Sequence, residues 1–563
     1  MNKIIKTMLQ LIIILFVYIS LFALGLYQAR GLTAFLVLII LLFIFKTRKI
    51  YNKQFFYQSV IISLIYSTID SYGFYYQTLL KQNNSNVILN LIVNFILLYF
   101  TLINLLPILY NYKIKKDNKE HKNIFLISFV VILIGYTIYL LNFYPGIASY
   151  DTCEQLHYVL NNFNGITNHH PILHTLFMAL PFKIGLFLTN NLTISILLIT
   201  ISQMIVMSLI FSSFIKYLYI KKVNIKIIYT CIFIFALCPN FGYMSICLWK
   251  DIIFSGLMLL LTMSLVDICD SDKISKKSLM LFAIISFLTV LFRNNAIYMY
   301  ILLTFFIMIL LKDKRKVLGI TCTSIIALYF IIVGPLFKLI GIKSTEICEY
   351  LSIPLQQIGR MADQEVQFTD HEKELISKVI DIEKLKRSYH PLTSDPIKFN
   401  ADFHEEPITN NKYEYLKLYV VLVKKYPEIA RDAYLTTMIG YYYIGFPSIN
   451  IQTNNYNYQD EFNINEKSLI PHIDELLLSE GCPIIALLYS CCLGYFVIIV
   501  FNYLCIKKRN IKYLIPYIPT YGIWLTIFLA SPSACEYRYV FSQYTCLLLL
   551  VLLPYLDDKK RSK

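Results

Sequence analysis

The chain has 563 residues, 57% of them hydrophobic and only 15% charged, with a mean hydropathy of +0.59 and a formal net charge of +16. Soluble globular domains carry roughly 25% charged residues, so this composition excludes an ordinary soluble protein. It excludes a nucleic-acid binder as well, because the Lys and Arg residues fall in short clusters between apolar runs, as in cytoplasmic loops of membrane proteins.

In chain order, apolar runs lie near residues 8–27, 32–46, 55–75, 87–110, 124–143, 192–215, 225–241, 251–268, 279–292, 296–311, 319–340, 484–505, 513–530 and 538–555. Each must be helical to satisfy its backbone in lipid, which predicts an all-α polytopic bundle of about fourteen transmembrane helices. The first run is long and lacks a small-residue cleavage site, so it reads as a retained span and not a signal peptide. Basic clusters at 3–6, 46–53, 113–122, 216–226, 273–277, 312–316, 507–512 and 559–563 follow every second span. One orientation satisfies them all, with both termini cytoplasmic. Counting 171–188 as a span would break that alternation. With Pro171, Pro181 and Lys183 inside it, this run is expected to be an interfacial or re-entrant helix on the outer face.

Four regions follow: N-terminal helices at 1–123, a membrane core at 124–340, an extracytoplasmic, mainly helical domain at 341–483, and C-terminal helices at 484–563. The thirteen Cys residues show no paired zinc-ligand spacing, and many sit in apolar runs as small hydrophobes. Cys348 and Cys482 flank the large loop as candidates for a disulfide. Tyr441, Tyr442 and Tyr443 suit an interfacial aromatic belt. Leu351–Arg360 reads as a helix packing on the membrane domain or lining an acceptor groove, and Ser394-Asp395-Pro396 as a turn.

The chemistry-bearing residues gather outside. The loop 144–188 opens with the turn Tyr144-Pro145-Gly146, then carries Asp151, Glu154, His157, His169, His170 and His174. Trp249-Lys250-Asp251, Arg293-Asn294-Asn295 and Glu536-Tyr537-Arg538 fall at outer turns of the same topology. A charge at such a position is costly unless it is paired or functional. The plain alternatives are snorkelling arginines, a local Lys250–Asp251 ion pair and an ordinary wet loop. His170 and His174, four residues apart, would face one metal from a single helix, or Asp151 and Glu154 would share a divalent ion.

An acidic residue just beyond a span, followed by a His-Pro helix, resembles the first outer loop of the GT-C glycosyltransferases. The likeness covers roughly residues 124–340. It is nearest to a bacterial branch sharing the Pro-Gly…Asp, His-Pro, Trp-Lys-Asp, Arg-Asn-Asn and Pro-Leu-Gln-Gln elements. The resemblance implies a membrane enzyme that moves a sugar from a polyprenyl-phosphate donor to a glycan, lipid or protein acceptor of the cell envelope. Asp151 would be the catalytic base, and Lys250, Arg293 and Arg538 would meet the donor phosphate. Glu154, His169, His170, Asp251 and Glu536 are accessory candidates. Metal use varies in that superfamily, so a divalent ion such as Mg²⁺ or Mn²⁺ stays open. Four extra spans before the loop, and the domain interrupting the later ones, depart from better-known members. Burial near the membrane is expected to raise the basicity of Asp151. The competing readings are a flippase or transporter, for which Asp70 is a rare intramembrane charge, a polymerase or ligase of lipid-linked saccharides, and an inactive scaffold. Abundant Lys, Ile and Asn point to a bacterium with an AT-rich genome.

Overall fold

A computed structural model describes residues 13–15, 17, 19, 53–81, 86–116, 123–446, 468–470 and 487–556. The expected span at 32–46, most of that at 8–27, both termini with their basic clusters, and Cys482 lie outside the described residues. Among the described residues the chain is helical, with isolated bridges and no strands. Seven helices are long and apolar enough to cross a membrane, or eight if one bent pair is a single span. The chain is therefore a multi-pass membrane protein; among the described residues, the other expected spans correspond to shorter or less apolar helices.

The chain divides into two units. The first contains α1 (Phe56–Leu80), α2 (Val87–Asn111) and residues 439–446. Ser59, Ser63, Ser67 and Ser71 recur every fourth residue on α1 and are buried, a small-residue face that lets helices approach closely. Beside it Ser71 donates to Asn90 and Asn94 donates to Asp70 at 2.6 Å. Tyr441, Tyr442 and Tyr443 form no exposed belt. All three are buried, and Tyr443 occupies the space beside Gly73, where any side chain would collide with its ring.

The second unit holds the rest. α3 (Ile124–Asn142) leads through the loop at 143–149 to the amphipathic α4 (Tyr150–Leu160) and then α5 (Ile172–Thr189). Expected to be interfacial, α5 is an 18-residue helix of mean hydropathy 1.6, long enough to cross. α6 (Leu192–Ile220) follows after a two-residue turn. α7 (Ile225–Leu237) and α8 (Pro239–Ile246) bend by 49° at Cys238, because Pro239 has no N–H to continue the first helix. α9 (Lys250–Asp270), α10 (Lys276–Phe292), α11 (Ala296–Leu310) and α12 (Arg315–Leu339) complete this part of the bundle.

The insert then folds on its own core. α13 (Ser352–Asp363) is amphipathic and packs with α14 (Asp370–Val379), α15 (Ile382–Ser388), α16 (Lys412–Lys425) and α17 (Pro427–Thr437) around Met361, Ile397, Leu422 and Ala430. Its Gln356 and Gln357 bond the backbone of His390 and Ala430, so the Pro-Leu-Gln-Gln segment is interior scaffolding. A capping box of Thr369 and Glu372 starts α14, and Pro427 opens α17. The C-terminal helices are α18 (Leu493–Lys508), α19 (Ile511–Ala530) and α20 (Tyr537–Leu552). α18 begins at Leu493, after a break at 489–492 within the apolar run expected at 484–505, where Ser490 Oγ accepts from Leu493 N.

Gln203 of α6 holds the broken segment after α8, donating to Ser245 O at 2.9 Å and Cys247 O at 2.7 Å. Leaving two buried carbonyls bare costs about 1–3 kcal/mol each. Gln203→Met is accordingly expected to lower the thermal midpoint of the purified protein by several degrees, read by detergent-solubilised fluorescence unfolding. An unchanged midpoint would remove Gln203 from this role.

Candidate functional site

Two breaks in the helical bundle satisfy each other. The loop after α3 runs beside the segment between α8 and α9: Ile147 N donates to Ile246 O and Leu248 N donates to Ile147 O, each at 3.0 Å. Trp249 Nε1 donates to Ser149 Oγ, and Thr152 Oγ1 donates to Leu248 O at 2.7 Å. This pairing brings the first turn of α4, with Asp151, against the first residue of α9, Lys250.

Asp151 Oδ2 lies 2.7 Å from Arg538 Nη1 and 3.7 Å from Lys250 Nζ. Its side chain is 22% exposed, at the wall of a cavity of about 840 Å³. That volume falls in the roughly 300–1,000 Å³ range of ligand sites. Burial pushes the Asp151 carboxyl up, but Arg538, Lys250 and His170 outweigh it and hold the group well below the usual carboxylate range. The expectation that burial raises its basicity is thus reversed by the paired cations. Arg538 stacks 5.0 Å from the Trp249 ring centroid and 5.1 Å from that of Tyr539, which fixes its plane.

A chain of polar groups leads away from Lys250. Its ammonium has only protons to give, so at 3.0 Å it donates to His170 Nδ1. Nε2 then carries the ring proton and donates to Glu154 Oε2 at 3.0 Å, and Tyr158 Oη donates to Glu154 Oε1 at 3.3 Å. Burial raises Glu154, yet its bond from His170 and the neighbouring ring charges bring it below its ordinary value. His169 packs edge-on against His170, and burial, followed by the nearby His170 ring and the Lys250 ammonium, lowers it to about 4.

Metal binding by His170 and His174 does not follow from their spacing. Pro171 caps α5, so His170 precedes the helix, while His174 is buried and bonds Gln155. Among the described residues, Glu154, His169 and His170 have ligand atoms within 4.8 Å of one another, and Asp151 is not in that group. One carboxylate and two imidazoles do not fit Mg²⁺, which takes oxygen ligands. The Lys250 ammonium on His170 also opposes a second cation there.

Arg293 is committed elsewhere. Its Nη1 donates to Tyr539 O at 3.0 Å and lies 3.2 Å from Asp251 Oδ1, a carboxylate with no exposure, and its side chain is 8% exposed. Glu536 caps α20, with Oε2 3.4 Å from Arg538 Nε. Asp151, His169, Lys250, Asp251, Arg293, Glu536 and Arg538 line the cavity; Glu154, His157, His170 and His174 do not, and His170, with Glu154 behind it, meets the cavity through Lys250.

The opposite wall comes from the insert. Lys398, with a side chain 2% exposed, pairs with Glu349 at 3.0 Å and Asp395 at 3.2 Å, beside Tyr350, His390 and Thr393. Sequence reading missed these; the Asp-Pro turn signal at 395 marked a loop without marking what it touches. Asn294, named only as part of a motif, donates to Asn168 O at 2.7 Å and braces the loop between α4 and α5.

Compared with known families, the sequence matches DUF6020, a family of unknown function, over residues 10–563. The chain belongs to that family. No curated protein and no solved structure matches this DUF6020 chain.

The low value for His169 has a consequence for pH. A ring held neutral when folded binds its proton at about 6.5 when unfolded, so stability is intact above that value and is lost as pH falls towards about 4. Asp151 works in the same sense but at lower pH, since its folded value lies below 3.8. Melting temperature against pH should therefore fall between about 6.5 and 4 in the wild type and less steeply in His169→Gln. Parallel curves would contradict a ring held neutral by its half-buried setting.

Proposed function

We propose that this protein is a GT-C-like inverting glycosyltransferase that moves a sugar from a polyprenyl-phosphate donor to a cell-envelope acceptor. It would act on the outer face of a bacterial plasma membrane, in a chain of about fourteen spans with both termini cytoplasmic and the insert outside. One observation carries the reading. The N-termini of α9 and α20, with Lys250 and Arg538 in their first turns, converge on a single carboxylate in a cavity of about 840 Å³. Helix N-termini and paired cations make an anion site, and Asp151 now occupies it.

A donor phosphate has the charge to take Arg538 and Lys250 from Asp151. The carboxylate, released from the cations that depress it, regains basicity when the donor is in place. It then takes the proton of an acceptor hydroxyl. The hydroxyl oxygen bonds to the anomeric carbon, the carbon–phosphate-oxygen bond breaks, and polyprenyl phosphate leaves with the bonding pair. Arg538 and Lys250 meet the charge on the leaving group. His170 holds Lys250 at the correct height, and Arg293 positions Tyr539 and the start of α20. No step is routed through a metal.

A transporter reading draws on Asp70, which bonds Asn94 inside a helix pair. The denser charge cluster lies at helix ends against a broad cavity, which suits group transfer better.

The test compares surface-glycan mass profiles of cells carrying wild type, a deletion, and Asp151→Asn at matched abundance. Deletion is expected to remove one sugar from the profile. Asp151→Asn should fail to restore it, with transfer reduced roughly 10²–10⁴-fold. Full restoration by Asp151→Asn would end the assignment of the base, and an unaltered deletion profile would end the enzyme reading.

A further inference from the structure

Behind the turn that carries Arg538, a pair of thiols faces each other. Cys491 Sγ and Cys535 Sγ are 3.1 Å apart, and both residues are buried, at 1% and 0% exposure. They belong to separate segments, 44 positions apart in sequence. Cys491 stands two residues before Leu493, the first of α18, and Cys535 two residues before Tyr537, the first of α20. Both therefore lie at the same end of two packed helices, where the chain enters each of them.

Their backbones are held on one support. Gln543 of α20 donates through Nε2 to Cys491 O at 3.0 Å and accepts at Oε1 from Tyr495 N at 2.9 Å. Tyr544 donates to Ser490 O at 2.7 Å. Gly494 allows this approach, since a side chain there would press on Gln543. The thiols thus meet because two ordered segments are fastened to α20, not because a flexible loop swings past.

We propose that Cys491 and Cys535 form a disulfide that fastens the turn bearing Glu536 and Arg538 to the start of α18. The bond rests on the outer-face placement of these helix ends, where disulfides persist. The co-reactant is a disulfide-bearing thiol oxidant of that compartment, acting before burial of the pair is complete. The Cys535 thiolate attacks the oxidant's disulfide, which gives a mixed disulfide and releases one oxidant thiolate. The Cys491 thiolate then attacks the Cys535 sulfur, which forms the new bond and releases the second oxidant thiolate. Two cysteine thiols are oxidised, the oxidant's disulfide is reduced, and the two protons pass to its thiols. Arg538, three residues beyond the bond, is then held at Asp151 by covalent structure as well as by charge.

The experiment reads the bond and not the transfer reaction. The full chain, in membranes from cells that express it, is denatured with N-ethylmaleimide under non-reducing conditions, digested and analysed by mass spectrometry. A Cys491–Cys535 linked peptide is expected, lighter by two hydrogens than its parts and separated by reduction. In Cys535→Ser, Cys491 should carry maleimide without reduction. Maleimide on both residues of the unreduced wild type would overturn the proposal, as would a link from Cys535 to Cys492. The wild-type measurement stands alone if the variant does not accumulate.

Discussion

Backbone that leaves a helix within a membrane bundle must find hydrogen-bond partners without water, and in this protein two such departures find each other. The Pro-Gly loop after α3 and the extended segment after α8 exchange bonds through Ile147, Ile246 and Leu248. Gln203 takes the carbonyls that remain on the second segment. The arrangement costs the fold two interrupted helices. In return it brings the first turns of α4 and α9 together, so Asp151 and Lys250 meet although they are distant in sequence. The Trp249–Ser149 bond and the Arg538 guanidinium over the Trp249 ring extend the same junction to α20.

Charge in this setting is conditional. Arg538 and Lys250 sit where burial penalises an unpaired cation, and Asp151 is the anion that satisfies them. The same pairing lowers the carboxyl, so a resting Asp151 is a poor base. Any anion that binds the two cations weakens their hold on Asp151, and by linkage a proton on Asp151 favours anion binding. A carboxylate held this way stays deprotonated and weakly basic for as long as both cations remain on it. Asp251 and Arg293 show the contrasting case: both are buried and directed at each other, which leaves them to hold structure.

The apolar runs made the helices of the bundle legible. The helices at Val87–Asn111, Ile124–Asn142 and Lys250–Asp270 begin and end within about two residues of the apolar runs. The outer-turn logic gathered Asp151, Lys250, Asp251, Arg293, Glu536 and Arg538 into one region, and all line one cavity. What escaped depended on direction or distance. Residues four apart face one way only inside a helix, and Pro171 places His170 outside α5. Tyr441 to Tyr443 read as a belt because nothing local announces that Gly73 leaves room for a ring. Nothing near Lys398 in the sequence marked it, since its two carboxylates become partners only after the insert folds.

The insert is tied to the charged wall by backbone. Ser394 N donates to Pro532 O at 2.8 Å and Ala534 N donates to Leu392 O at 2.7 Å, a short antiparallel bridge centred on Thr393 and Ser533. The bridged loop is the one that runs on through Cys535 and Glu536 to Arg538. A second tie joins Asn168, in the loop before α5, to Lys343, where the insert begins. Both ties are hydrogen bonds of main chain to main chain, which survive side-chain change at the surface they connect. The cavity wall contributed by the insert can therefore vary in the residues it offers a ligand while the positions of Asp151 and Arg538 stay set by the bundle. Such a division lets the insert change its side chains without moving the charged pair it faces.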